Sequence, residues 1–380
     1  MGHSWIEIDT ERLHENVRLF RRLLGSGTKL MAVVKANAYG HGAGLIAPLL
    51  RNEIEWFGVD SLEEAEELSA VGIHEPILIL GHTDPKDADR IVSGGFRQVL
   101  FRRDVAEALS KAARNRKRPA IVHLKVETGL NRLGVEPRDV EGLIEGLEGL
   151  EVEGVYTHFA DVEDPESTFY QNQIERLREA VATLPGPLVV HASPTAGALL
   201  HPESSLALAR VGIGIYGIWP SPETRRAAER LGVLSPVLTW KSRVAQVKTV
   251  PAGGTVGYDV TYRASTERRI AVVPVGYYDG FDRRLSNRGR VLVGGKRAPV
   301  LGRVAMNMFM VDVTEVDARE GDEVVLIGDQ GEESVTADDL AETIGTIAYE
   351  VLSRLSPCLP RRLGKPADEG DVGGRPVERR

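Results

Sequence analysis

From residue 10 to about residue 225, short apolar runs rich in β-branched residues alternate with charged, amphipathic stretches. This alternation restricts the fold more than any other feature of the chain. The runs are residues 29–34, 56–59, 76–80, 97–101, 120–126, 152–159, 187–192 and 206–211. Apolar runs of that length, separated by helix-length segments, mark a parallel sheet, because each parallel strand needs a crossover before the next. The segments between them carry helix punctuation. Ser61 and Glu64 are spaced as a capping box opening a helix that runs to Val71, and Gly72 supplies the stop. A second helix is expected from about Glu166 to Thr183, ended by Pro185 and Gly186. Eight such units within roughly 215 residues match one (β/α)8 barrel of the TIM type over residues 10–228. A doubly wound α/β sheet is the alternative.

After about residue 230 the texture changes to strands with little helix, at 237–250, 269–275, 290–293, 308–313 and 323–327, punctuated by Gly-Gly and Pro-Ala-Gly-Gly turns. One helix is expected at 336–344, capped by Thr336. Residues 229–364, joined by 1–9, therefore read as a mostly β domain. Residues 365–380, rich in Gly, Pro and charge, read as a disordered tail. The net charge of −8 provides no bulk positive field for nucleic acid. No apolar run reaches eighteen residues and the N-terminus lacks signal-peptide character, so a cytosolic protein with no membrane partner is expected. Cys358 is the single cysteine, which excludes an intrachain disulfide and a thiolate zinc site. His and carboxylates do not cluster at the run ends, so no metal centre is expected.

Barrels of this kind place catalytic groups at the C-terminal ends of their strands. Those positions hold Lys35 after the first run, Lys125 and then Arg132 after the fifth, His158 in the sixth, Ser193 and Thr195 after the seventh, and Arg210 in the eighth. Amines are scarce, since only 10 of the 47 cationic residues are Lys. Lys35 reads either as a lysine snorkelling out of the barrel mouth or as a buried amine with a lowered pKa, able to act as nucleophile or base.

The segment Val34-Lys35-Ala36-Asn37-Ala38-Tyr39-Gly40-His41-Gly42 resembles the pyridoxal 5'-phosphate attachment motif of alanine racemases. His123 to Gly129 with Arg132, Thr157-His158-Phe159-Ala160, and Arg210 to Gly217 resemble the family's later barrel motifs in order. Gly276-Tyr277-Tyr278-Asp279-Gly280 and Gly302-Arg303-Val304-Ala305-Met306-Asn307 resemble its two β-domain segments. The resemblance spans about residues 5 to 365. It implies that Lys35 holds the cofactor covalently and acts as one base, with Tyr277 as the second. It implies phosphate contacts from Tyr39, Thr195, Tyr349 and the amides of Gly212 and Ile213. Arg210 would face the pyridine nitrogen, with His158 linking it towards Tyr277. Arg132 and the Met306 amide would meet the substrate carboxylate, and Lys125 matches a position often carbamylated. Tyr277 and Met306 would come from the partner subunit of a homodimer with shared sites.

The implied activity is interconversion of L- and D-alanine, supplying D-alanine for peptidoglycan. A broader serine-accepting racemase and a non-catalytic cofactor-binding protein are the alternatives. Pro194 stands where the family usually has Asn, Thr195 replaces a Ser, Ala305 and Asn307 replace Cys and Asp, and Tyr278 replaces a small residue. None of these removes a catalytic group, but they bear on pocket size and hence on substrate preference.

Overall fold

The computed structural model describes residues 3–364; the tail expected at 365–380 lies outside the described residues. Strands Lys29–Val33, Trp56–Val59, Ile77–Ile79, Arg97–Leu100, Ala120–Lys125, Leu150–Tyr156, Val189–His191 and Leu208–Val211 form one eight-stranded parallel sheet, with the last laid beside the first. The remaining seam is bridged by Ala207 N–H to Val190 O at 3.0 Å and Arg210 N–H to Ser193 O at 3.0 Å. The result is the expected (β/α)8 barrel. Its sixth strand stops at Tyr156, so His158 lies two residues beyond the strand rather than within it. Met31, Val33, Trp56, Leu78 and Leu208 pack together as an apolar cluster, whereas Arg210, His191, His123 and Lys125 are buried polar groups on strands of the same barrel.

The helix Leu62–Ala70 starts as expected, with the Glu64 amide donating to Ser61 Oγ at 3.2 Å. The capping box is only half made, however. The Glu64 carboxylate accepts from the Asp60 amide at 2.7 Å and the Ala36 amide at 2.6 Å instead of from Ser61, so it ties two rim loops together. The helix expected from Glu166 begins at Phe169 and ends at Ala182.

The C-terminal part is a ten-stranded sheet. Its order is Gln246–Val250, Arg268–Val273, Phe309–Asp312, Lys296–Leu301, Arg290–Val293, Glu323–Gln330, Leu238–Arg243, Ser4–Ile8 and Arg361–Leu363, with Glu333–Val335 paired to Glu323–Gln330. Residues 237–250 are therefore two strands rather than one. At Val244 and Ala245 the chain leaves the neighbour Glu323–Gln330 and joins Arg268–Val273, and no Gly or Pro marks the corner. Strand Lys296–Leu301 is not among the expected strands; its Pro299 pairs on one side only, with Arg290. Thr336 makes a full capping box with Asp339 and starts the helix Ala337–Ile344.

Two contacts from this part fix the lysine loop. A Cβ on Gly40 would lie 2.1 Å from Leu352 O in the helix Ala348–Ser353. Arg361 donates from Nε to Gly40 O at 3.0 Å and from Nη1 to the carbonyls of Ser356 and Leu359 at 3.0 and 2.8 Å. Among the described residues, no helix is long and apolar enough to cross a membrane.

Candidate active site

Lys35 leaves the first barrel strand into a segment in which Ala36, Asn37, Ala38 and Tyr39 all have left-handed φ of 50 to 54°. Such a turn costs L-residues roughly 1–2 kcal/mol each. Local bonds compensate. Ala38 N–H donates to Val34 O at 2.8 Å, Gly40 N–H to Ala36 O at 3.0 Å, and Ala43 N–H to Asn37 Oδ1 at 2.8 Å. His41 Nδ1 faces the carbonyls of Ala38 and Tyr39 at 3.0 and 3.1 Å and so carries the ring proton. The His41 ring stacks on Tyr216, and burial lowers its pKa to about 4. The turn brings Lys35 and Tyr39, four residues apart, into one cavity.

That cavity has a volume of about 890 Å³ and opens at the barrel mouth. Lys35, Tyr39, Lys125, Arg132, His158, Thr195, Arg210, Gly212, Ile213 and Tyr349 all line it. Tyr277 and Met306 do not. The Lys35 amine lies 3.3 Å from Asp60 Oδ1 in a solvent-accessible pair.

Arg210 is buried, and both of its Nη groups donate. Nη1 donates to His191 Nδ1 at 2.8 Å, while Nη2 donates to Ala192 O at 2.7 Å, Thr157 O at 2.9 Å and His158 Nδ1 at 3.0 Å. Nε–H has no hydrogen-bond partner among the described residues. Burial lowers the Arg210 pKa to about 10, which leaves it cationic at neutral pH. Because a guanidinium cannot accept, His158 Nδ1 must, and the neutral ring then carries its proton on Nε2. Burial first, and Arg210 and Lys125 after it, hold His158 far below the usual imidazole range.

Lys125 is 4% exposed, with its amine 5.0 Å from the Tyr156 ring centre. Burial, with Arg210 and Arg132 adding repulsion, lowers its pKa to about 7, so a sizeable fraction is unprotonated at neutral pH. Across the cavity, Thr195 Oγ1 accepts from the Gly212 amide at 3.1 Å. A Cβ on Gly212 would lie 2.5 Å from Tyr39 Oη, so only glycine lets that hydroxyl approach. Ile213 opens a one-turn 3-10 helix, whose first amides lack intrahelical partners. Burial, followed by Asp60 and Glu64, raises the Tyr39 pKa to about 12, and burial raises Tyr349 as well, so both phenols stay protonated.

The two β-domain motifs meet in one place. Tyr277 N–H donates to Ala305 O at 3.1 Å and Tyr278 N–H to Met306 O at 3.0 Å, and Gly276 is glycine because a Cβ would lie 2.2 Å from Met306 O. Tyr277 and Met306 thus share an exposed face, 43% and 53% accessible. Asp60, Glu64, Tyr156 and His191 also contact the site residues. None of the four was expected at the site, Glu64 having been read only as a helix cap, although Tyr156 ends one barrel strand and Asp60 directly follows another.

A parallel barrel with an amine at its mouth, buried arginine behind it and a β domain clamped on the lysine loop defines a two-domain barrel enzyme. Residues 8–220 match the family model for the alanine racemase N-terminal domain and residues 237–363 that for the C-terminal domain. The alanine racemase of Symbiobacterium thermophilum is 41% identical over 373 residues, covering 96% of this chain and 98% of that one. The solved alanine racemase of Bacillus anthracis with bound L-Ala-P superposes with a TM-score of 0.90 at 34% identity, covering 96% of each chain. That of Bartonella henselae with covalently bound pyridoxal phosphate gives 0.83 at 27% identity, covering 96% of this chain and all of that one. The chain belongs to the alanine racemase family and is an amino-acid racemase.

Proposed function

We propose that the protein interconverts L- and D-alanine with pyridoxal 5'-phosphate held by Lys35, and so supplies D-alanine for peptidoglycan. The observation that carries this reading is one cavity lined by Lys35, Arg210, Tyr39, Thr195 and Tyr349. These residues fit the cofactor. Tyr39, Thr195, Tyr349 and the amides of Gly212 and Ile213 would hold its phosphate, and Arg210 Nε–H would meet its pyridine nitrogen. Bound there, the group supplies an electron sink for the pair left when Cα loses its proton.

The proton moves belong to the protein. Lys35 Nζ takes or returns the Cα proton on one face, and Tyr277 Oη of the partner subunit does so on the other, because one base cannot reach both faces. His158 Nε2–H is left as a donor towards that phenol, since its Nδ1 is committed to Arg210. Arg210 donates a hydrogen bond without delivering a proton, which keeps the sink modest and limits side reactions. Arg132 and the Met306 amide bind the substrate carboxylate. Lys125 is carbamylated: CO₂ adds to its neutral amine with loss of a proton, giving an anion beside Arg132 and Arg210 in place of a cation.

The purified protein incubated with pyridoxal phosphate should show an absorbance band near the visible edge. Borohydride should abolish it and leave the label on Lys35. L-alanine should racemise faster than L-serine. A protein that takes up no cofactor, or that prefers serine, would overturn the corresponding part of the reading.

A further inference from the structure

Behind Arg210, a second polar chain leaves the cavity and crosses the barrel interior. Arg210 Nη1 lies 2.8 Å from His191 Nδ1, His191 Nε2 lies 2.8 Å from His123 Nδ1, and His123 Nε2 lies 3.3 Å from Glu153 Oε2. Glu153 also accepts from Arg97 Nε at 3.1 Å. Both imidazoles are fully buried, whereas Glu153 and Arg97 are partly open to solvent. Arg97 begins its barrel strand, so this end of the chain lies towards the face opposite the cavity.

The two ends dictate the direction of every bond. A guanidinium only donates and a carboxylate only accepts. His191 Nδ1 therefore accepts from Arg210, which puts its proton on Nε2. That proton goes to His123 Nδ1, so His123 also carries its proton on Nε2 and gives it to Glu153. Both rings are neutral, and nowhere does a donor face a donor. Burial lowers both imidazoles below their ordinary range. Burial alone would raise Glu153, but its hydrogen bonds from His123 and Arg97 outweigh that and hold it at about 2. The rings are also wedged: Tyr156 stacks on His191 with centroids 4.6 Å apart, and Trp56 packs edge-on against His123 at 5.2 Å.

We propose that Glu153 is a positioning residue for Arg210, acting through His123 and His191 to hold the guanidinium with its Nε–H towards the cavity. This rests on the role given to Arg210 above. Without an acceptor at position 153, a buried N–H is left unpaired, a cost relieved when both rings shift their protons to Nδ1. His191 would then present N–H to Arg210 Nη1, donor against donor, and displace it.

The test is ¹⁵N NMR of histidine-labelled protein before cofactor is added, combined with kcat and KM of the loaded enzyme. In the wild type, His123 and His191 should be protonated on Nε2 alone. Glu153→Met keeps the side-chain length without a strong acceptor. It should introduce Nδ1-protonated signals in both rings and lower kcat about tenfold, with KM changed less than about twofold. Glu153→Gln, whose Oε1 still accepts, should restore the wild-type tautomers and bring kcat within about threefold of the parent. Nδ1 protonation of His191 in the wild type would overturn the proposal by itself. So would unchanged tautomers in Glu153→Met, or a Gln variant as impaired as the Met variant. Tautomers that follow the acceptor series while kcat stays constant would overturn the role of Arg210 and leave the chain's polarity standing.

Discussion

At the residue scale, Lys125 has the most consequential environment. Its folded pKa of about 7 lies below the roughly 10.4 of an unfolded lysine. Between those values the unfolded chain binds more protons, so stability rises with pH across that window. The penalty of burying the amine is full below about pH 7 and fades towards about pH 10. Lys125→Met, in bicarbonate-free buffer, should therefore be more stable than the parent at about pH 6. Its margin should shrink by about 2 kcal/mol by about pH 9. Urea denaturation at the two pH values measures this, and a margin that stays constant or grows with pH contradicts the burial of an uncompensated amine. The same scale shows where sequence reading stops. Nine singled-out residues line one cavity because the barrel strand ends and the loops after them converge at its mouth, and Tyr349 joins them from the helix Ala348–Ser353. Glu64 was read as a capping partner, yet it bonds the Asp60 and Ala36 amides, a choice made by tertiary proximity that no i, i+3 spacing reveals.

At the element scale, the eight barrel strands are legible because strands buried on both faces read as continuous apolar runs. The β sheet is less legible. Its corner at Val244 carries no turn residue, and Lys296–Leu301 hides behind Pro299 and two cations. The left-handed turn at 36–39 is illegible for a sharper reason: Ala and Tyr have no preference for positive φ, so the conformation is imposed by what surrounds it. Gly40 is central to that surrounding. It has φ 83° and a backbone carbonyl where a side chain would begin. Gly40→Ala should destabilise the protein by about 3 kcal/mol or more, because backbone cannot yield as a flexible side chain does. Thermal or urea unfolding checks this. A loss under about 1 kcal/mol would mean that the helix Ala348–Ser353 does not clamp the lysine loop as tightly as the 2.1 Å approach requires.

At the scale of the whole molecule, the two proposed bases do not meet within one chain. Lys35 lines the cavity, whereas Tyr277 lies on an exposed face with Tyr278, Met306 and Met308. All four side chains are exposed in the single chain, and a two-fold dimer would bring that face to the partner's cavity. Lys35→Ala and Tyr277→Phe homodimers should each be nearly inactive, since every site in either lacks a base. In a mixed dimer one site carries both defects, while the other receives an intact Lys35 from one chain and an intact Tyr277 from the other. Random exchange makes half the dimers mixed and leaves half of their sites whole. Combining the two inactive preparations in equal amounts, with subunit exchange verified, should thus restore about one quarter of wild-type alanine racemisation. Activity that remains at the sum of the two parents would place both bases on one chain and contradict the shared site.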